Sequence, residues 1–285
     1  MASMRDIKRR RSSIASTQQI TNAMKLVSTV KLQKTKARAE RSKPYFDKMY
    51  ETVTSMLAKS GTIDHPYLKP QQSGKKAVIV LTSNRGLAGG YNANVIKLIT
   101  GSGFEPSDLL LYTVGNKGKE FLQHRGYEIA QDYSEVIENP MFQDAKEICE
   151  EVLRKYAAGE IGEIYLAYTY FRNTVVHEPK FLKLLPVEVD EGDIQAAREN
   201  SLMNYEPEEE EALEVIIPKY MTSILYGALV EAVASENGAR MQAMDSATSN
   251  AQEMIDHLTL QYNRARQGSI TQELTEIIAG ANAIQ

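Results

Sequence analysis

The first 43 residues contain neither glycine nor proline, the two residues that most readily interrupt a helix. Within them Ile20, Met24, Val27 and Val30 recur at three- and four-residue steps, the period of a helix stripe. The same segment carries twelve Lys and Arg, among them the run Arg9-Arg10-Arg11, against only Asp6 and Glu40. The 285-residue chain has a net charge of −4, so a surplus of ten positive charges here leaves −14 on the remainder. Such asymmetry calls for an acidic partner surface opposite a positively charged helical rod.

A second rod closes the chain. No proline occurs after Pro218, and Met244, Ala247, Ala251, Met254 and Leu258 fall at spacings of three and four, continued by Tyr262 and Ala265. That spacing is close to the heptad of a coiled coil, and its small residues permit close approach of a second helix. The simplest way for two such rods to bury their stripes is an antiparallel pair. Ile20, Met24 and Val27 are expected on one side and the Ala/Met stripe on the other.

Between the rods the pattern changes. Gly61 to Gly74 reads as a linker, and short apolar runs then alternate with helical patterns. Strands are expected at Ala77–Leu81, Leu109–Val114, Ile164–Tyr170 and Phe181–Val189, with Pro186 marking an edge or a break. Helices are expected near Asn94–Thr100, over Lys117–His124 and over Asp144–Ala158. This alternation predicts a mainly parallel sheet covered on both faces. The fold class is therefore α/β: a long antiparallel coiled coil of the terminal helices with an inserted Rossmann-like domain. The expected divisions are 1–60 and 208–285 for the helices and 75–195 for the α/β domain. The link Gly192–Glu211 ends in acidic residues that suit a solvated helix start.

Chemistry is sparse. The lone cysteine, Cys149, on an apolar helix face excludes a disulfide framework and fits a reducing compartment. No apolar run approaches the roughly 18 residues of a membrane span, so membrane association is expected only through partners. The Arg- and Ser-rich start resembles a transit peptide, but the apolar stripe continues through it and favours mature helix. His65, His124, His177 and His257 stand apart, with no metal-ligand spacing. Gly115-Asn116-Lys117-Gly118-Lys119 lacks the spacing and hydroxyl of a phosphate loop. The turn Thr82–Asn94 follows a strand and is glycine-rich, but Gly86-x-x-Gly89-Gly90 is not the dinucleotide fingerprint. It reads better as a tight turn presenting Arg85 to a partner. No cofactor, metal or catalytic residue is expected.

Several segments carry a specific resemblance: ITNAMKLVSTVKL (Ile20–Leu32), NRGLAGGYN, ASENGARMQAMDSATSNA and YNRARQGSITQELTEIIAGANA. Together they resemble the γ subunit family of the rotary F-type ATP synthase, over essentially the whole chain. The resemblance implies a rotor shaft with no active site of its own. In that family the terminal helices stand in the axis of a hexamer of α and β subunits and turn with the membrane c-ring. The implied partners are the α and β subunits, the ε subunit and the c-ring, with no nucleic acid. The implied place is the cytoplasmic face of a bacterial cell membrane, held peripherally, and the carried ion is expected to be the proton.

The resemblance also implies contact residues. The basic run Arg9, Arg10 and Arg11 would face acidic partner surface. Met24 and the loop Arg85, Gly86 and Leu87 would lie near an acidic lever segment of the β subunits. Arg266, Gln267, Thr271 and Glu273 would form a polar catch. The tail from Leu274 to Gln285, whose only charge is Glu276, would sit in an apolar sleeve. Tyr205, Glu206 and Glu208 would face the c-ring loops. Asn22, Lys25, Asn84 and Ala88 depart from common family residues, which bears on the pairing at the lever. Two other classes compete: a nucleic-acid-binding protein with a basic helical arm, and a dinucleotide-dependent dehydrogenase. The first leaves the near-neutral tail without purpose, and the second explains only the middle.

Overall fold

The computed structural model describes residues 3–59, 65–69, 73–187 and 209–284. Besides short 3-10 turns at Pro66–Leu68, Pro106–Asp108 and Val136–Glu138, its elements run α1 (Met4–Lys59), β1 (Lys76–Leu81), α2 (Tyr91–Thr100), β2 (Leu109–Val114) and α3 (Asn116–His124). They continue as β3 (Glu128–Asp132), α4 (Phe142–Ala157), β4 (Glu163–Phe171), β5 (His177–Leu185) and α5 (Glu209–Ile284). The chain divides into two compact units, Met1–Ser28 with Arg240–Gln285, and Thr29–Ala239.

The larger unit is built on a five-stranded sheet of order β3-β2-β1-β4-β5. β1 pairs in parallel with β2 and β4, β2 pairs in parallel with β3, and β5 joins β4 antiparallel. β1 is buried on both faces, which is why it reads as an unbroken apolar run. Ala77, Ile79 and Leu81 point to one face, where they meet α4, the end of α1 and the start of α5 through residues such as Ile148, Met56 and Ile217. Val78 and Val80 point to the other, against Val95, Ile96 and Ile99 of α2 and Leu122 of α3. The mainly parallel, doubly covered sheet expected from the sequence is the one found.

Three expectations change at this level. β3 is a polar edge strand, with Glu128 and Asp132 exposed, so no hydrophobic alternation announced it. β5 spans His177–Leu185, not Phe181–Val189. It tolerates Pro179 because an edge strand leaves some backbone N–H groups unpaired, and it stops where Pro186 can donate nothing. Residues 188 and 189 lie outside the described residues.

α5 begins at Glu209 and carries Pro218 inside it. A proline there removes a hydrogen bond and costs about 3 kcal/mol. Leu213, Ile217, Met221 and Leu225, all fully buried, hold the helix to the core on both sides of it. α5 also corrects the reading of hydropathy. It contains an 18-residue window long and apolar enough for a membrane span, but 61% of that window is buried within the protein. A core helix passes the same test.

The smaller unit is an antiparallel helix pair. Lys25 reaches Asp245 at 2.6 Å, Thr21 reaches Thr248 at 2.8 Å, and Gln18 reaches Gln252 at 2.8 Å. Partner numbers fall on one helix as they rise on the other, which fixes the direction. The seam on α5 is the expected one apart from Met254, but the seam on α1 is not. Ile20, Val27 and Val30 are exposed at 60%, 58% and 66%, and Met254 at 54%. The inward positions of α1 are Ile7 and Ser28, both buried, with Ile14, Thr21 and Lys25 half-buried between them. On α5 they are Met244 and Ala251, followed by half-buried Ile255, Leu258, Tyr262 and Ala265. A three-four spacing shows that residues share a face but not that the face is covered.

Candidate functional site

In the helix pair the candidate contact residues are presented outward. Arg9 and Arg10 are exposed, Arg9 lying 3.5 Å from Asp6. Half-buried Arg11 differs from them, because its guanidinium lies 5.6 Å from the centre of the Tyr262 ring. A cation over an aromatic face is attracted by the ring quadrupole, so Arg11 serves the helix pair as well as any partner. Met24 is half-buried. Arg266, Gln267, Thr271 and Glu273 are all exposed, and the Thr271 hydroxyl donates to the Gln267 carbonyl at 2.9 Å. The expected i, i+4 face of Gln267 and Thr271 is therefore present. Beyond it Leu274, Ile277 and Ile278 are 55%, 68% and 61% exposed.

The loop after β1 belongs to the larger unit. The Ser83 hydroxyl donates to the Arg85 carbonyl at 2.7 Å, and the Ser83 backbone N–H donates to Asn92 Oδ1 at 2.9 Å. Leu87 sits at φ 62 with its side chain 63% exposed, while Ala88 beside it is buried. A left-handed backbone at a non-glycine residue costs energy, here in a turn that leaves Arg85, Gly86 and Leu87 exposed. Asn84 accepts from the Asn116 N–H at 3.0 Å and donates to the Ser134 carbonyl at 2.8 Å. An aspartate could not make the second bond, which gives the departure at Asn84 a local reason.

The carboxyl ends of parallel strands are where α/β folds usually hold ligands. Here those ends are occupied internally. Gly115 and Gly118 let α3 close on Thr82, whose hydroxyl donates to the Gly115 carbonyl and accepts from the Gly118 N–H at 2.9 Å. Asp132 takes Lys119 at 2.8 Å and the hydroxyls of Thr113 and Ser134. Burial pushes its carboxyl up, but these donors outweigh that and hold it below its ordinary value. Cys149 is buried, and desolvation pushes its thiol up to about 12, far from a reactive thiolate. Among the described residues no group of three His, Cys, Asp or Glu is placed to hold a metal ion.

Tyr205, Glu206 and Glu208 lie outside the described residues. Sequence reasoning also missed the cross-helix polar pairs of Gln18, Thr21 and Lys25. Their signal was a second heptad, Arg11, Gln18 and Lys25, hidden because its members are polar.

The ATP synthase family model matches residues 3–284. The ATP synthase gamma chain of Lachnoclostridium phytofermentans is 64% identical over 100% of both chains. The chain belongs to the ATP synthase gamma chain family. A further relative, the gamma chain of Acetobacterium woodii described as sodium ion specific, is 42% identical over 99% of this chain and 98% of its own. In a Euglena gracilis mitochondrial ATP synthase structure comprising OSCP, F1 and c-ring, one chain superposes with a TM-score of 0.69 at 19% identity. The match covers 99% of this chain and 94% of that one, and it shows the same fold. Gamma chains of this family are subunits of a larger complex, which fits the outward apolar and basic faces of the helix pair.

Proposed function

We propose that this chain is the central rotor shaft of a proton-translocating F-type ATP synthase, coupling c-ring rotation to the catalytic cycle of the β subunits. The observations that carry the reading are the exposed apolar residues Ile20, Val27 and Val30 of α1 and, towards the end of α5, Leu274, Ile277 and Ile278. Exposed apolar residues recurring on long helices fit surfaces that a partner protein covers. A sleeve of alternating α and β subunits would cover such a face all round. The basic run Arg9–Arg11 supplies the sign that an acidic β surface requires. Arg85, Gly86 and Leu87 with Met24 are proposed at the lever, and Arg266, Gln267, Thr271 and Glu273 at the catch. Tyr205, Glu206 and Glu208 are proposed at the c-ring, an ε subunit is proposed as a further partner, and 75–195 is proposed as the α/β domain. The helical segments 1–60 and 208–285 form the shaft.

In this reading the chain performs no catalysis, and it reaches the cytoplasmic face of the membrane only through the c-ring. The test is reconstitution with α and β subunits. The expected result is ATPase activity that requires this chain, with no ATP binding by the chain alone in calorimetry. Micromolar affinity of the isolated chain for ATP would overturn the reading. Pumping in vesicles with and without sodium distinguishes the proton from the ion named for the Acetobacterium relative. A nucleic-acid role would show instead as salt-dependent retention of random duplex DNA.

A further inference from the structure

A polar ladder runs along the edge of the helix pair's seam. Gln18, Thr21 and Lys25 stand at i, i+3 and i+7 on α1, and Asp245, Thr248 and Gln252 stand at the same intervals on α5. These are the a/d intervals of a heptad, so each set shares one helix face; Gln18, Thr21, Lys25 and Thr248 are half-buried while Asp245 and Gln252 are exposed, which places the set along the edge of the seam. Cross-helix bonds join them as three successive rungs: Gln18 Nε2 to Gln252 Oε1, hydroxyl to hydroxyl between Thr21 and Thr248, and Lys25 Nζ to Asp245. Buried Met244 and Ala251 flank the rungs. Meanwhile Ile20, Val27 and Val30 remain in solvent.

Partly exposed polar pairs are a poor way to gain stability, each contributing about 0–1 kcal/mol. Their best-attested use is to fix register. An apolar seam of repeating small and medium side chains tolerates a slip of one turn, whereas a slipped polar rung loses its partner. We propose that the ladder Gln18–Gln252, Thr21–Thr248 and Lys25–Asp245 is a register lock, which fixes the axial and rotational phase of one helix against the other. Its residues are positioning residues. They set where around the shaft the outward faces of Ile20, Val27 and Val30 stand, and so when each surrounding subunit meets them. This function rests on the rotor reading, whereas the lock itself belongs to the isolated chain.

Two measurements separate them. Spin labels at Gln19→Cys and Glu253→Cys, both exposed positions, report the helix pair in the isolated full-length chain. Cys149 is buried and stays unlabelled. The parent is expected to give one narrow distance distribution. A variant with an apolar ladder (Gln18→Leu, Thr21→Val, Lys25→Leu, Asp245→Leu, Thr248→Val, Gln252→Leu) should melt at the same temperature or higher. It should nonetheless add a population displaced by about one helical turn, 5.4 Å along the axis. In the assembled complex the same variant should keep ATP hydrolysis but lose about half or more of the ions pumped per ATP. Exchanging the charges, Lys25→Asp with Asp245→Lys, should retain the parental distribution and pumping ratio.

A single parental distribution in the apolar variant overturns the lock, as does failure of the charge exchange to retain it. Should the apolar variant not fold by circular dichroism, Thr21→Val with Thr248→Val carries the same test, and an unbroadened distribution there also overturns it. A parent complex that pumps nothing sinks the rotor reading instead and leaves the distance result standing.

Discussion

Gly115 stands at φ +115, and a Cβ built there would lie 2.1 Å from the Thr82 carbonyl oxygen. The spacing of this region is not that of a phosphate loop, and spacing cannot show that the glycine makes room for Thr82, just past β1. Gly115→Ala should destabilise the chain by about 2–4 kcal/mol, since a strained φ and a steric overlap with backbone add. Denaturant unfolding of the isolated chain measures this, and a loss within experimental error would mean that the loop moves aside freely. A second residue was equally illegible. His177 stands alone in the sequence, with nothing to tell a surface from a core role; both its ring nitrogens are buried without a protein hydrogen bond, and Gly238 of α5 admits the ring. Burial holds its pKa below the ordinary 6.5. The unfolded chain therefore binds the proton more readily, so His177 imposes no penalty above about pH 6.5 and an increasing one as pH falls below it. The thermal midpoint should drop between pH 7.5 and pH 5.5, and His177→Phe should reduce that drop. Equal drops in parent and variant would remove His177 as a source.

At the scale of elements, apolar periodicity was read well and its meaning only half so. Strands buried on both faces, such as β1 and β2, announced themselves by composition. Polar β3 did not, because its pairing with β2 depends on a neighbour 15–20 residues away and not on its own residues. In α1 the stripe Ile20, Val27 and Val30 was real, but it faces outward, while the true seam was masked by Gln18, Thr21 and Lys25. A partner's surface lies outside any single sequence, so an apolar face awaiting that partner looks the same as one already buried. The basic end of α1 follows the same logic. Arg9 and Arg10 are exposed, and replacing Arg9, Arg10 and Arg11 by Glu leaves the core of the α/β unit untouched. The α/β unit of the triple variant should keep its circular dichroism melt, the lost Arg11–Tyr262 contact being confined to the helix pair, and the variant should bind the hexamer of α and β subunits roughly tenfold or more weakly at low salt. The difference should shrink as ionic strength rises. Parental affinity at low salt would leave the charge asymmetry of the chain without a role in assembly.

For the molecule as a whole, a sheet-bearing unit with its own buried core and long helices with exposed apolar residues imply divided labour. One part is finished by its own core, and the other is finished by partners. The end of α5 tests this. Arg266 and Glu273 lie seven residues apart, two turns on, and so share a face, while Gln267 and Thr271 share another. All four are exposed, and the residues after them expose Leu274, Ile277 and Ile278. Exposed polarity alone needs no explanation, but polarity leading into bare isoleucines does, because water does not favour them. If protein encloses this stretch, the enclosed charges need partners, and leaving one unpaired costs about 1–3 kcal/mol. Apolar residues in a smooth sleeve contribute contact but no such directional bond. Arg266→Ala and Glu273→Ala should therefore each lower the steady-state ATPase of the assembled complex by roughly two- to tenfold while leaving assembly intact. Deleting the residues after Leu274 should have the smaller effect, since it removes fill and not a catch. Parental turnover in both alanine variants, together with loss of activity on deletion, would move the functional contact from the polar band to the tail.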